Sequence, residues 1–305
     1  MIDFVGKKQW FFLISAITML VAIVSLAVFK LQPGIDFIGG TSMTLNFSPQ
    51  VEQSQLRQEF INLGHPEAMI QEGEGDFFIR IKEMSAQERE TVTEVLETSL
   101  GSELTVRDYS TVSPYIATET ARNAGIAMMI AAVAMLLYIA WAFRRLPKPF
   151  RWGTSAIIAL VYNVLIVLGV FSILGRVANV EIDALFITGV LTIVGYSINN
   201  TVVVFDRIRE NMTKGISPDF SVTVNCSLLE TLARNLNTTL TTFFVILALL
   251  LFGGATIHYF MLALLVGVVA GTYSSTCMAG QLLVVWEKGE WGRLSSWLPF
   301  VKGAA

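Results

Sequence analysis

Six long apolar runs mark the sequence. One stands alone near the start, and five follow closely after a polar stretch of about ninety residues. A helix that crosses a bilayer needs about 20 largely apolar residues. The runs Trp10 to Phe29, Asn123 to Phe143, Trp152 to Leu174, Ala184 to Phe205, about Leu236 to Phe252 and about Tyr259 to Trp286 meet that need. Lys7 and Lys8 precede the first run, as basic residues precede a secretory leader. Its apolar stretch is too long for a leader core, so it reads as an uncleaved anchor.

The polar stretch has another rhythm between residues 40 and 113. "TSMTLNF" alternates and reads as a strand. "VEQSQLRQEFINLG" sets Val51, Leu56, Phe60 and Leu63 on one side and stops at Gly64, as a helix does. "EAMIQEG" and "DFFIRIKE" suggest a strand pair around the turn at Gly73 to Gly75. "SAQERETVTEVLETSLG" opens with Ser85 and Glu88 in capping-box spacing, and "ELTVRDYSTV" is a last strand. The β-α-β-β-α-β order predicts a small ferredoxin-like α+β sandwich. The spacing of its acids and hydroxyls matches no catalytic constellation. Glu72, Glu74 and Asp76 read as a solvated turn, and the domain as a binding or lever module.

Composition agrees with the pattern. The chain of 305 residues is 53% hydrophobic and 15% charged, against about 25% charged in soluble proteins, with mean hydropathy +0.61. The predicted fold is a polytopic α-helical membrane protein of six spans, with the α+β domain outside, between the first two. The expected parts are 1–29, a cytoplasmic N-terminus and first span; 30–122, the outer domain; 123–286, a five-helix bundle; and 287–305, a cytoplasmic tail. The net charge of −3 says little, because charge is segregated. Lys7, Lys8, Arg144, Arg145, Lys148, Arg151, Arg207, Arg209, Lys214, Arg234, Lys288, Arg293 and Lys302 all fall on one set of loops. The alternate short loops hold only Arg176, which places both termini in the cytoplasm. Cys226, in a charged loop, and Cys277, in an apolar helix, do not suggest a disulfide. They and the separated His65 and His258 lack metal-ligand spacing. No metal, cofactor, nucleic-acid site or enzymatic motif is expected.

Polar side chains inside the fourth run raise the functional question. "VGYSINNTVVVFDRIREN" (Val194 to Asn211) puts Tyr196, Ser197, Asn199, Asn200 and Thr201 where lipid-facing residues belong. Such groups are costly in a span and face the bundle interior. Thr188, Thr192, Tyr196 and Asn199 share one helix face, with Ser197 and Asn200 beside it. Gly189 and Gly195 would admit a neighbouring backbone. Two readings stand: interhelical hydrogen bonding, or a lined path for an ion or proton. In the fifth run, "TLARNLNTTLTT" sets Arg234 at one edge, to snorkel or to pair inward. Asp206, Arg207 and Arg209 cap the fourth span and read as a solvated cluster ahead of a coupling role. Gly267 and Gly271, continued by Ser274, Ser275 and Ala279, mark close helix packing, in a tight bundle or against a second membrane subunit. "GIDFIGG", with Gly34, Asp36, Phe37, Gly39 and Gly40, reads as a hinge or docking joint ahead of a plain linker.

In order along nearly the whole chain, "GIDFIGGT", "VGYSINNTVVVFDRIREN", "LARNLNTTLTT" and "LFGG" resemble the signatures of the SecD–SecF family, bacterial protein-export subunits of the resistance-nodulation-division superfamily. The resemblance implies a subunit of the cytoplasmic membrane that pairs with SecD beside the SecY–SecE–SecG channel. It would use the proton gradient to draw unfolded secreted polypeptides outward after SecA has pushed them through. YajC and YidC are further implied partners, and a proton or sodium ion is the implied cargo. Arg234 matches the family's fifth-span arginine, and Thr238 lies one turn on. Asn200 stands where the family pattern Tyr-Ser-x-Asn-Asp has its acid, and an amide cannot carry a proton. Three explanations stay open. SecD supplies the acid; a different ion such as sodium replaces the proton; or the amide is an engineered neutral replacement that mimics the protonated acid. Asp183 is no substitute, lying roughly 25 Å away at about 1.5 Å per residue. Two alternatives remain: half of a small-molecule exporter, and a structural subunit with a silent path.

Overall fold

The computed structural model describes residues 3–290 except Glu74, Glu83, Arg145 and Pro147. Of the positions named above, Glu74, Arg145, Arg293 and Lys302 lie outside the described residues, as does most of the expected tail. The chain divides into two compact units, Met1–Gln32 with Ala127–Ala305, and Pro33–Ile126.

The first long helix, α1, runs Lys8–Phe29. The smaller unit follows, with a one-turn helix α2 (Ile35–Ile38), β1 (Gly40–Ser48), α3 (Gln53–Asn62), β2 (Met69–Gly73), β3 (Asp76–Ile81), α4 (Ala86–Leu100) and β4 (Glu103–Val112). The sheet order is β2-β3-β1-β4, with every neighbouring pair antiparallel. Strand alternation sends Met43, Leu45, Phe47, Phe77, Ile79 and Ile81 to one face, where Leu56 and Phe60 of α3 and Val92 and Leu96 of α4 complete a core. Ser42, Thr44 and Asn46 take the other face. The capping box forms: Ser85 Oγ accepts from the Glu88 amide at 3.2 Å, and Glu88 Oε2 accepts from the Ser85 amide at 2.8 Å. Gly101 closes α4 in the left-handed region.

The larger unit holds α1, most of α5 (Pro114–Ala142), α6 (Pro149–Ala178), α7 (Ala184–Lys214), α8 (Phe220–Phe252), α9 (Ala255–Ser274), a π turn (Ser275–Ala279) and α10 (Gly280–Lys288). Counting α9, the π turn and α10 as one, six helices among the described residues are long and apolar enough to cross a membrane. Their ends differ from the apolar runs. Helix α5 starts at Pro114 rather than at Asn123. Helices α7 and α8 extend through the stretch expected as a charged loop, leaving only Gly215–Asp219 between them. Apolar composition marks contact with lipid, whereas helix ends follow caps. Gly215 ends α7 at φ +65°, and Asp219 starts α8 by accepting from the Ser221 amide at 2.9 Å. Cys226 therefore lies in a helix, not in a loop.

Small residues bring the inner helices together. A Cβ on Gly267 would collide with Ile193, and one on Gly271 would sit 3.2 Å from Ser197 Cβ. The expected glycine seam thus packs α9 onto α7 within the chain, side by side and parallel. Gly189 meets Phe260, while Gly195 has no neighbour within 4 Å. Phe143, Trp152 and Phe205 interlock at 5.3 to 5.9 Å between centroids, joining α6 and α7 to the end of α5.

Candidate functional site

Helix α7 presents two polar faces with different surroundings. Thr188, Thr192 and Asn199 are exposed. The two threonine hydroxyls donate to carbonyls of their own helix, Ala184 at 3.0 Å and Thr188 at 2.8 Å. This face lies on the outside of the chain rather than in its interior, where polar groups in a span were expected. Ser197 and Asn200 point inward and are 1% and 2% exposed, with Tyr196 half-buried between the faces.

Each inward group has a different setting. Ser197 Oγ accepts from Asn163 Nδ2 of α6 at 2.5 Å. Asn163 escaped the sequence reading, although a single amide in the apolar run "LVYNVLIV" is itself a signal. The Tyr196 hydroxyl donates to Thr239 Oγ1 of α8 at 3.2 Å. Thr239 and Thr272 of α9 lie 2.8 Å apart, and Thr272 donates to the Val268 carbonyl at 2.8 Å. A hydroxyl chain therefore crosses three helices. The Nδ2 atoms of Asn200 and Asn235 are buried without a hydrogen-bond partner.

Arg234 and Thr238 are exposed on α8, and Thr238 Oγ1 donates to the Arg234 carbonyl at 3.0 Å. They share a helix face, as expected, but the buried residues of that stretch are Asn235 and Thr239. Arg234 shares a cavity with the charged end of α7. A cavity of about 530 Å³ between α5, α7 and α8 is lined by Asp206, Arg207, Arg209, Glu210, Glu230 and Arg234, with Tyr138 and Thr231 among its other walls. Arg207 reaches Glu230 and Glu210 at 2.6 Å each, and Asn211 donates to Glu230 at 2.8 Å. Arg209 pairs with Asp206 at 2.6 Å. The cluster expected as a solvated cap thus joins α7 to α8 and walls a cavity.

The glycine segment is tightly built. Gly34 caps α2, with Asp36 and Phe37 in its single turn, and the Gly39 amide donates to the Ile35 carbonyl at 2.8 Å. Gly39 and Gly40 have φ of +78° and +129°. A Cβ on Gly39 would lie 3.0 Å from Pro114, and one on Gly40 would lie 2.6 Å from the Ile81 carbonyl oxygen. Gly40 pairs with Val112, so the two ends of the domain are stitched together. The segment expected as a hinge or docking joint forms a packed clasp within the domain. Nearby, burial lowers the Arg80 guanidinium to about 10, with the Asp36 carboxylate opposing that shift.

Comparison with known proteins locates this arrangement. Residues 91–289 match the family model described as protein export membrane protein SecD/SecF, C-terminal, and residues 24–51 match the SecD/SecF GG motif. The protein translocase subunit SecF of Thermobaculum terrenum is 40% identical over 310 aligned positions, covering 96% of this chain and 96% of the relative. The protein translocase subunit SecDF of Bacillus subtilis is 35% identical over 94% of this chain but only 38% of its own length. The crystal structure of SecDF from Thermus thermophilus, a translocon-associated membrane protein, superposes with a TM-score of 0.85 at 34% identity, over 94% of this chain and 39% of that one. SecDF in a super-membrane-facing form superposes with a TM-score of 0.67 at the same identity.

Proposed function

The chain belongs to the SecD/SecF family of protein-export membrane proteins, and from that premise we propose that it couples an ion gradient to secretion. It is a multi-pass membrane protein with an accessory role in Sec-dependent export, and SecD is its translocase partner. In our reading it lies in the inner membrane of a bacterium with both termini cytoplasmic and residues 30–122 outside. It works beside SecY–SecE–SecG and SecA, with YajC and YidC as further neighbours. The proton or sodium gradient drives the outward pull on unfolded secreted chains.

The observation that carries this reading is the exposure of Thr188, Thr192 and Asn199 along the apolar run of α7, with Arg234 and Thr238 exposed at the edge of the fifth run. The threonine hydroxyls are satisfied within their own helices, but the Asn199 amide and the Arg234 guanidinium call for protein or water beside them. The SecDF chains, of which this chain spans about two fifths, suggest that SecD covers them. Asn200 cannot carry a proton, so in this reading the coupling acid belongs to SecD and faces Arg234. The cavity beside Arg234, with Asp206, Arg207 and Arg209, is the cytoplasmic mouth. The clasp at Gly39 and Gly40 supports a lever reading, because a stitched domain transmits movement as a body.

The test is secretion of a reporter into membrane vesicles containing SecD and either this chain or its Arg234→Leu or Thr238→Val variant. Both variants are expected to assemble with SecD and to lose most of the gradient-stimulated export, roughly tenfold if one charged pair is removed. Full stimulation with both variants would leave the path without function.

A further inference from the structure

We infer that a water molecule is bound inside the bundle, between Asn200 of α7, Asn235 of α8 and Thr276 of the π turn. All three side chains are more than nine-tenths buried. Each has a polar atom with no hydrogen-bond partner among the described residues: Nδ2 of Asn200, Nδ2 of Asn235 and Oγ1 of Thr276. Buried polar atoms in native proteins are almost always hydrogen-bonded, to protein or to ordered water.

Helix geometry places the three at one level. The hydroxyl chain Tyr196–Thr239–Thr272 fixes which faces of α7, α8 and α9 meet. Helices α7 and α9 run parallel, since Ile193 meets Gly267 and Ser197 meets Gly271, and α8 runs against them. One turn further in the same direction, four residues along each helix, stand Asn200, Asn235 and Thr276. The π turn begins at Ser275. Its wider winding shifts the backbone hydrogen-bond ladder at this level, a geometry often found at functional sites.

The donor set selects the ligand. The unpartnered atoms are two amide N–H groups and one hydroxyl, which together suit a molecule that both accepts and donates. One water accepts from both amides and donates to Thr276 Oγ1, which gives it the two to four polar partners a buried water needs. A cavity lies nearby. Val203 and Thr231, about one turn from Asn200 and Asn235, line the 530 Å³ cavity. Asn200 is then a hydrated, non-titrating position in the bundle. This holds whether or not the chain couples to a gradient.

The test is water-edited solid-state NMR on the full chain with SecD in lipid bilayers, labelled with ¹⁵N in asparagine side chains. Asn200→Leu and Asn235→Leu each identify one amide signal by its loss. Both signals are expected to gain magnetisation from water as fast as that of exposed Asn237, and each leucine variant is expected to slow the transfer to the remaining amide severalfold. If one variant fails to fold, the other still identifies its own amide. Dry amide signals overturn the inference. So does a shift of either signal when sodium replaces potassium, which would make the site a cation site.

Discussion

At the residue scale, single positions decide both the clasp and the buried layer. Gly40 combines φ +129° with a carbonyl 2.6 Å from where a Cβ would sit. Gly40→Ala is expected to lose at least about 1–3 kcal/mol through backbone strain alone, measured as a fall in the denaturation midpoint. Gly64→Ala, at φ +87° with open space around it, should cost less. Motif spacing singled out Asn200, Arg234 and the double glycine in the sequence. It could not set the phase of α8, where Thr239 rather than Thr238 enters the bundle, because a run of four threonines and two asparagines puts polar groups on every side. Asn163 stayed hidden because its partner, Ser197, lies on another helix.

At the scale of elements, the domain was legible to within a residue or two, because strand alternation, the capping box and Gly101 all act locally. The helix ends around Gly215–Asp219 were not, because α7 and α8 continue as charged helices beyond the apolar runs and pair with each other through Arg207 and Glu230. The capping box gives a pH prediction. The Ser85 amide, with its side chain second, holds the Glu88 carboxyl below its ordinary value. A depressed carboxyl stabilises the fold above its unfolded pKa, and that stability is lost as pH falls through the folded value. Glu88→Gln should therefore flatten the loss of domain stability below about pH 4, as read by circular dichroism melts across pH. For the α7–α9 contact, Gly271→Leu must displace Ser197, and overpacking of this kind costs about 1–3 kcal/mol. A lower melting temperature for the detergent-solubilised chain is the expected result.

At the scale of the molecule, the proposed reading makes the exposed polar stripe on α7 and α8 a face for SecD. The chain's sequence showed six spans and one domain, but not which helix faces stay bare, since exposure depends on packing partners far apart in the chain. The prediction is that SecD co-purifies in equal amount in mild detergent, and that charge-reversing Arg234→Glu weakens the pairing. The central claim is that gradient coupling survives the absence of an acid at Asn200. Its most direct test is reporter secretion into vesicles with and without a proton or sodium gradient, comparing this chain with Asn200→Asp, each with SecD. The account predicts that one of the gradients stimulates export by both chains. Stimulation of the Asn200→Asp chain alone would contradict it, and would mean that the fourth-span asparagine had switched the path off.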